Sequence, residues 1–94
     1  MSASYVLPDN SAQVDFWLTD DGHIHETWFT TADNKYHGPV DATAAWFGGI
    51  LATSVSACPT PDGSTQICNF TGRDKHRYHF WYTSSGWHGP QIIG

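Results

Sequence analysis

Short runs in which hydrophobic and polar side chains alternate dominate this chain. Between positions 14 and 19, the apolar residues Val14, Phe16 and Leu18 occupy every second position. Such alternation is typical of β-strands, because successive side chains point to opposite faces of a sheet. Asp21 and Gly22 separate two of these runs and predict a tight hairpin turn. The pattern therefore predicts an all-β fold of short strands joined by hairpins.

The alternating runs occur twice along the chain. Residues 14–29 align with residues 67–82 at a shift of 53, with Val14 opposite Ile67. The motifs Tyr36–Pro39 and Trp87–Pro90, each an aromatic residue followed by His-Gly-Pro, align at a shift of 51. Each copy reads as four strands separated by turns. Four antiparallel strands and a repeat of about 50 residues are typical of a β-propeller blade.

The repeat predicts how the chain is organised. We expect a single domain over residues 1–94, with blade repeat one at about 4–39, a connector at about 40–51 and blade repeat two at about 52–90. Within the connector only one helical turn is expected, over Ala42–Trp46, before Gly48 and Gly49 end it. Two blades cannot close a ring and leave sheet surface open. We therefore expect a homo-oligomer, a trimer giving six blades.

Composition and charge narrow the classes of partner. The 94 residues include 9 acidic and 4 basic side chains, a net charge of −5, which argues against nucleic-acid binding. No apolar run approaches the ~20 residues that cross a bilayer, so no membrane insertion is expected. The first residues lack the basic and apolar regions of a signal peptide. A soluble protein, cytoplasmic or secreted by a non-classical route, is the expectation.

Two cysteines, Cys58 and Cys68, flank a predicted turn at 59–63. Their placement predicts adjacent strands of repeat two, close enough for a disulfide. Two free thiols are the alternative, since no signal peptide indicates an oxidising compartment. A metal site is not expected, because neither the cysteines nor the six histidines show a ligand spacing.

Several side chains are candidates for binding or catalysis. Glu26 lies among apolar residues, where a carboxylate needs hydrogen-bond donors, although a solvated strand position is the alternative. Tyr36 and Trp87 follow turns at a blade edge, where sugar stacking and packing are both open. No catalytic motif occurs, so no enzyme is expected. Asp15 and Glu26 leave a glycosidase only as a further alternative, because such enzymes use paired carboxylates.

The strand pattern, the Asp-Gly turn, Ile24–Phe29 and Gly86–Gly89 together resemble blades of the six-bladed fucose-binding lectins, the Aleuria lectin group. The two-repeat length resembles the small bacterial members of that group, which assemble as trimers. The resemblance covers roughly residues 4–39 and 52–90. It implies sugar pockets between adjacent blades, each with an Arg and a Glu for the hydroxyls and aromatic residues of the next blade for stacking.

Carried over position by position, the resemblance implies two kinds of pocket. Within one chain, Asp15 and Glu26 would meet Tyr82 and Trp87. Between chains, Cys68 and His79 would meet Phe29 and Tyr36 of a neighbour. The Arg position is Asp15 in repeat one and Cys68 in repeat two, and the Glu position in repeat two is His79. Loss of a bidentate guanidinium alters hydroxyl recognition.

The expected function is thus a carbohydrate-binding lectin without a cofactor, whose partners are glycans or monosaccharides and whose specificity can differ from fucose. The within-chain pocket, which has two carboxylates and a Trp platform, is expected to be the functional one. The alternative is a non-lectin protein-interaction or assembly propeller that has lost its sugar site. The replaced Arg is consistent with that alternative.

Overall fold

A computed structural model of the protein describes residues 2–60 and 63–94 and confirms the predicted all-β class. Each repeat forms one four-stranded antiparallel sheet with its strands in chain order, β1-β2-β3-β4 and β5-β6-β7-β8. We call the two sheets blade one and blade two. Their elements are β1 (Ser2–Val6), β2 (Ala12–Leu18), β3 (Ile24–Thr30), β4 (Lys35–Asp41), α1 (Ala42–Ala45), β5 (Ala52–Pro59), β6 (Gln66–Gly72), β7 (Arg77–Thr83) and β8 (Gly86–Ile92).

The central hairpins of the two blades have the same geometry. The Asp21 carboxylate accepts a hydrogen bond from the His23 amide, and the Asp74 carboxylate accepts one from the His76 amide. The residue between each such pair has a positive φ, 85° at Gly22 and 72° at Lys75. The shift of 53 between the repeats is therefore preserved in the turn. Of the turn predicted at 59–63, residues Pro61 and Asp62 lie outside the described residues.

Each blade has two faces, which we name by equivalent positions at the shift of 53. Face A carries Val14, Phe16, Glu26 and Trp28 in blade one and Ile67, Asn69, His79 and Trp81 in blade two. Face B carries Asp15, Trp17, Thr27 and Phe29 in blade one and Cys68, Phe70, Phe80 and Tyr82 in blade two.

Opposite faces of the two blades are buried in the core. Face A of blade one packs inward, with Phe16 fully buried and Val14 4% exposed. In blade two the inward side is face B, with Cys68 fully buried and Phe70 3% exposed. The blades therefore pack front to back, with β1 lying against β5. Face B of blade one and face A of blade two point outward.

The connector contributes to the core instead of merely linking the blades. The predicted helical turn is present as α1, whose N-cap Asp41 accepts a hydrogen bond from the Ala44 amide at 3.1 Å. Phe47 is fully buried, and its ring centroid lies 4.6 Å from that of Phe80. The Thr43 hydroxyl accepts a hydrogen bond from the Ile24 amide at 2.8 Å. These contacts hold the connector against both blades.

The structure decides between the two cysteine alternatives. Cys58 on β5 is paired with Ile67, and Cys68 on the adjacent β6 is paired with Ala57. The adjacent-strand prediction is confirmed, but the two side chains point to opposite faces of the sheet, which prevents a disulfide. Both thiols are free, with Cys58 exposed and Cys68 buried. Within residues 2–60 and 63–94, no helical segment has the length and hydropathy of a membrane span.

Candidate functional site

A cavity of about 220 Å³ lies between the two blades. Glu26 reaches it from β3, Tyr82 from β7 and Trp87 from β8. The structure thus brings together three of the four side chains expected in the within-chain pocket. The remaining lining residues are Ala12, Val14, Trp28, Trp46 and Gln66.

Glu26 supplies the carboxylate of this cavity. Its side chain is 7% exposed, and the described part of the chain offers it no hydrogen bond or ion pair. No described buried side-chain oxygen or nitrogen is sealed without a partner, so the carboxylate opens toward the cavity. Burial raises the pKa of Glu26 to about 7, because a desolvated site disfavours the charged form. The cavity therefore contains a carboxylate that can accept a hydrogen bond from a ligand.

Two further ionisable groups interact electrostatically with Glu26, Tyr5 on β1 of the same blade and Cys68 on β6 of blade two. Burial, followed by the charge of Glu26, raises the pKa of both groups above their ordinary values. Both therefore stay neutral at physiological pH. All four basic side chains of the protein are exposed, and none of them lines the cavity. Glu26 is thus the one Asp, Glu, Lys or Arg side chain in the described cavity lining, and with a pKa of about 7 it is partly ionised at neutral pH.

The aromatic wall of the cavity is built by three segments of the chain. The Trp46 ring stacks on the Trp87 ring with centroids 5.9 Å apart and an interplanar angle of 29°. The Tyr82 ring lies 5.5 Å from Trp87 at 60°. Trp46 belongs to the connector and is not among the site residues predicted from the sequence. Its signal in the sequence is a Trp-Phe pair that follows a helical turn and precedes Gly-Gly.

Gln66 adds a polar group that sequence reasoning missed. The Tyr5 hydroxyl donates a hydrogen bond to the Gln66 carbonyl oxygen across the blade junction. That bond fixes the orientation of the amide and leaves its NH₂ group free to donate to a ligand. Gln66 lies directly opposite Tyr82 in the sheet, just as Gln13 lies opposite Phe29 in blade one. The cavity therefore offers a carboxylate acceptor and an amide donor.

Asp15 does not belong to this cavity, so the expected pairing with Glu26 is wrong. Asp15 is opposite Thr27 in the sheet and lies on face B, whereas Glu26 is opposite Phe16 on face A. Side chains on opposite faces of one sheet cannot flank a single bond of a ligand. The positions on β2 that share the face of Glu26 are the apolar Val14 and Phe16.

Of the four residues expected in a pocket between chains, Phe29, Tyr36 and His79 lie on the outward faces, and Cys68 does not. Phe29 and Tyr36 form a ring pair with centroids 5.1 Å apart and an angle of 60°, the same angle as between Tyr82 and Trp87. His79 lies on face A of blade two, with its Nδ1 2.6 Å from the Asn69 side-chain oxygen. The structure does not bring these two sets together within one chain. Cys68, expected beside His79, is instead buried on the opposite face.

In each blade, the histidine of the repeated His-Gly-Pro motif stacks on a tryptophan of the adjacent strand. The His37 ring stacks on Trp28 with centroids 5.6 Å apart, and His88 stacks on Trp81 at 5.8 Å. The Nε2 atom of each histidine lies within hydrogen-bond distance of a threonine hydroxyl, Thr30 at 3.1 Å and Thr83 at 3.0 Å. Both histidines therefore serve the packing of their own blade. The described residues contain no group of three or more His, Cys, Asp or Glu side chains placed to hold a metal ion.

Comparisons with known proteins do not assign this chain to a family. The sequence matches no protein-family model and no curated protein. What stands is a chain of two four-stranded blades with a carboxylate-bearing aromatic cavity between them.

Proposed function

We propose that this protein is a carbohydrate-binding lectin without catalytic activity, whose sugar pockets lie between adjacent blades. The observation that carries the proposal is the cavity in which the buried, unpaired Glu26 faces the Trp46 and Trp87 rings. The C–H faces of a sugar ring are apolar and stack on aromatic side chains. Sugar hydroxyls donate hydrogen bonds, which a desolvated carboxylate requires. One pocket thus offers partners for both the apolar C–H groups and the hydroxyl groups of a sugar ring.

The size of the cavity supports a small ligand. Its volume of about 220 Å³ lies below the roughly 300–1,000 Å³ of pockets for drug-sized molecules. A monosaccharide, or one residue of a glycan, is the proposed occupant. Since Val14 and Phe16 share the face of Glu26, no guanidinium stands beside the carboxylate. The proposed specificity therefore differs from that of the fucose-binding lectins that the sequence resembles.

Self-association completes the proposal. Face B of blade one and face A of blade two are outward, and their equivalents in the other blade form the junction within the chain. Repeating that junction between copies is a head-to-tail contact, which closes into a ring when the rotation permits. Three copies would give six blades. Each new junction would place His79 and Asn69 of one copy near Phe29 and Tyr36 of the next.

A second candidate function is a protein-interaction or assembly propeller without a sugar site. The observation that favours it is the absence of the pocket Arg, whose positions are occupied by Asp15 and Cys68, and of the second pocket Glu, whose position is occupied by His79. In that case the cavity would be a by-product of blade packing, and only the outward faces would carry function.

A glycan array with the purified, labelled protein tests the proposal. Saturable binding to particular glycans, displaced by the free monosaccharide and reduced in Glu26→Ala, is the expected result. Asp15→Asn serves as the matched control, because Asp15 lies on the neighbouring strand but on the other face. Silence on every glycan from a protein that is folded and of defined oligomeric mass would support the second candidate.

A further inference from the structure

The described lining of the cavity contains a carboxylate and no basic side chain, which suits a positively charged ligand better than a neutral sugar. Glu26 is 7% exposed and has no partner among the described residues, and the four basic side chains are all exposed elsewhere. An unpaired carboxylate in an apolar site is costly, whereas a charge-assisted hydrogen bond from a cation offsets this cost. The site therefore gains more from a positively charged donor than from a hydroxyl.

The rings around Glu26 select for the same charge. Trp46, Trp87 and Tyr82 line the cavity, with neighbouring centroids 5.9 Å and 5.5 Å apart. Aromatic faces attract an ammonium within about 6 Å of the ring centroid, most strongly for Trp and where water is excluded. Several rings combined with one carboxylate form the arrangement that binds alkylammonium groups.

From this arrangement we infer that the cavity binds an amino sugar through its free ammonium group. The inference rests on the proposed function and names the class of sugar. The ammonium would donate to the Glu26 carboxylate while the C–H face of the ring lies on Trp87. The Gln66 amide, held by Tyr5, would donate to a ring hydroxyl. Acetylating the amine would remove its positive charge and with it the largest contribution to the binding affinity.

The ionisable groups near Glu26 do not interfere with the binding of an ammonium group. The Tyr5 phenol and the Cys68 thiol interact electrostatically with Glu26, and burial keeps both neutral because it raises the pKa of each. Neither competes with the ammonium for the carboxylate, and neither repels it. The net charge of −5 also favours the approach of a cation.

Isothermal titration calorimetry with matched sugars tests the inference. The probes are glucosamine, N-acetylglucosamine and glucose, together with the corresponding galactose series, all at pH 7 and one salt concentration. We expect at least one free amino sugar to bind about tenfold or more tightly than its acetylated and hydroxyl counterparts. Glu26→Gln, which keeps the shape of the side chain, should abolish that preference, and Asp15→Asn should retain it.

The outcomes separate the inference from the proposed function. If neither series shows a preference for the free amino sugar, whether because affinities are equal or because the acetylated or hydroxyl sugar binds more tightly, the ammonium inference is overturned and the lectin proposal stands. The same holds if no amino sugar binds while the glycan array shows a neutral ligand. If neither calorimetry nor the array detects any sugar, both fail. Retention of the amine preference in a folded Glu26→Gln variant would also overturn the inference.

Discussion

The indole ring of Trp46, from the connector, stacks on the indole ring of Trp87, from β8, with centroids 5.9 Å apart and an angle of 29°. Trp87 also meets Phe47 edge-on at 5.4 Å and Phe16 at 6.2 Å. The connector therefore holds in place the aromatic platform that the second blade contributes. A ring fixed in this way loses little freedom when a ligand stacks on it.

Removing that support should weaken sugar binding. We expect Trp46→Ala to cost about 1 kcal/mol, roughly a fivefold loss of affinity, because the wall of the cavity loses one ring and Trp87 loses its stacking partner. Calorimetry with the best glycan-array ligand measures the loss. Trp46→Phe should recover part of the affinity, and Tyr36→Ala, on the outward face, should leave the within-chain pocket unchanged. Undiminished binding by Trp46→Ala would show that the ligand lies elsewhere.

The buried carboxylate should make stability depend on pH. The pKa of Glu26 is about 7 in the folded protein against an ordinary 4.5, so ionisation favours the unfolded chain. The resulting destabilisation is absent below pH 4.5, grows as the pH rises to about 7, and is complete above it. We expect Glu26→Gln to raise the free energy of unfolding by up to about 3 kcal/mol at pH 8 and to change little at pH 4.5.

Urea unfolding at both pH values and one fixed protein concentration measures this difference. Fixing the concentration matters because assembly contributes to apparent stability. Asp15→Asn, which removes a carboxylate from the other face of the same hairpin, should show no such gain at pH 8. A loss of stability at pH 8 in Glu26→Gln would mean that the carboxylate is satisfied within the folded protein.

Head-to-tail assembly predicts a specific mixing behaviour. Trp17→Asp places a charge on outward face B of blade one, and Trp81→Asp places one on outward face A of blade two. Each variant keeps one intact outward face and should be a monomer of about 10.4 kDa. Mixed in equal amounts, they should form a one-to-one dimer through the two intact faces, because the contact is not self-complementary.

Native mass spectrometry distinguishes these species. The wild-type protein should have three times the mass of one chain. A mixture that stays monomeric, or a single variant that dimerises with itself, would rule out head-to-tail assembly.

Gly89 should resist substitution more than a neighbouring glycine on the same strand. Its φ is 125°, and a Cβ there would lie 2.8 Å from the Phe80 ring and 2.9 Å from the His79 carbonyl oxygen. Gly86 also has a positive φ, 110°, but a Cβ there meets nothing within 4 Å. We expect Gly89→Ala to lower the free energy of unfolding by about 1–3 kcal/mol more than Gly86→Ala, because crowding adds to the shared backbone cost. Equal losses in denaturant unfolding would indicate that Phe80 moves aside.

The two thiols should remain unlinked even in air-exposed protein. Cys58 and Cys68 point to opposite faces of adjacent strands, so a disulfide would require the hairpin to distort. Alkylation of the denatured but unreduced protein should therefore add two groups per chain, as seen by mass spectrometry. Alkylation of the native protein should spare Cys68, which is fully buried. A chain that takes up alkylating reagent only after reduction would contradict the assigned geometry.

Much of the fold follows from local features of the sequence. The alternation around Val14 and Phe16, the Asp21-Gly22 turn and the repeat at a shift of 53 predicted the strands and hairpins of both blades. These signals are local, because a strand alternates its faces and a turn needs particular backbone angles whatever surrounds it. The conjunction of Glu26, Tyr82 and Trp87 was expected from the resemblance to lectin blades, and the structure brings these three side chains to one cavity.

The face of the sheet on which Asp15 lies, and the contribution of Trp46 to the cavity, could not be predicted from local sequence features. Counting along the chain aligned Asp15 with a pocket position, but the register of β2 against β3 puts it on the face opposite Glu26. One residue of register exchanges the two faces of a strand, and nothing in the alternation alone fixes it. Trp46 reaches the cavity because the connector folds back onto both blades, a long-range contact that the local Trp-Phe-Gly-Gly pattern does not specify.

The sequence by itself determined the strands, their order and the equivalence of the two repeats, because alternation, turn chemistry and repetition act over a few neighbouring residues. Only the tertiary structure decided which face of each blade is buried. Equivalent positions have opposite fates: Phe16 is fully buried on the inward face A of blade one, whereas its equivalent Asn69 is only half-buried on the outward face A of blade two. Each blade has apolar side chains on both faces, so the choice depends on which neighbour covers which face, and that is a property of the packed pair of blades.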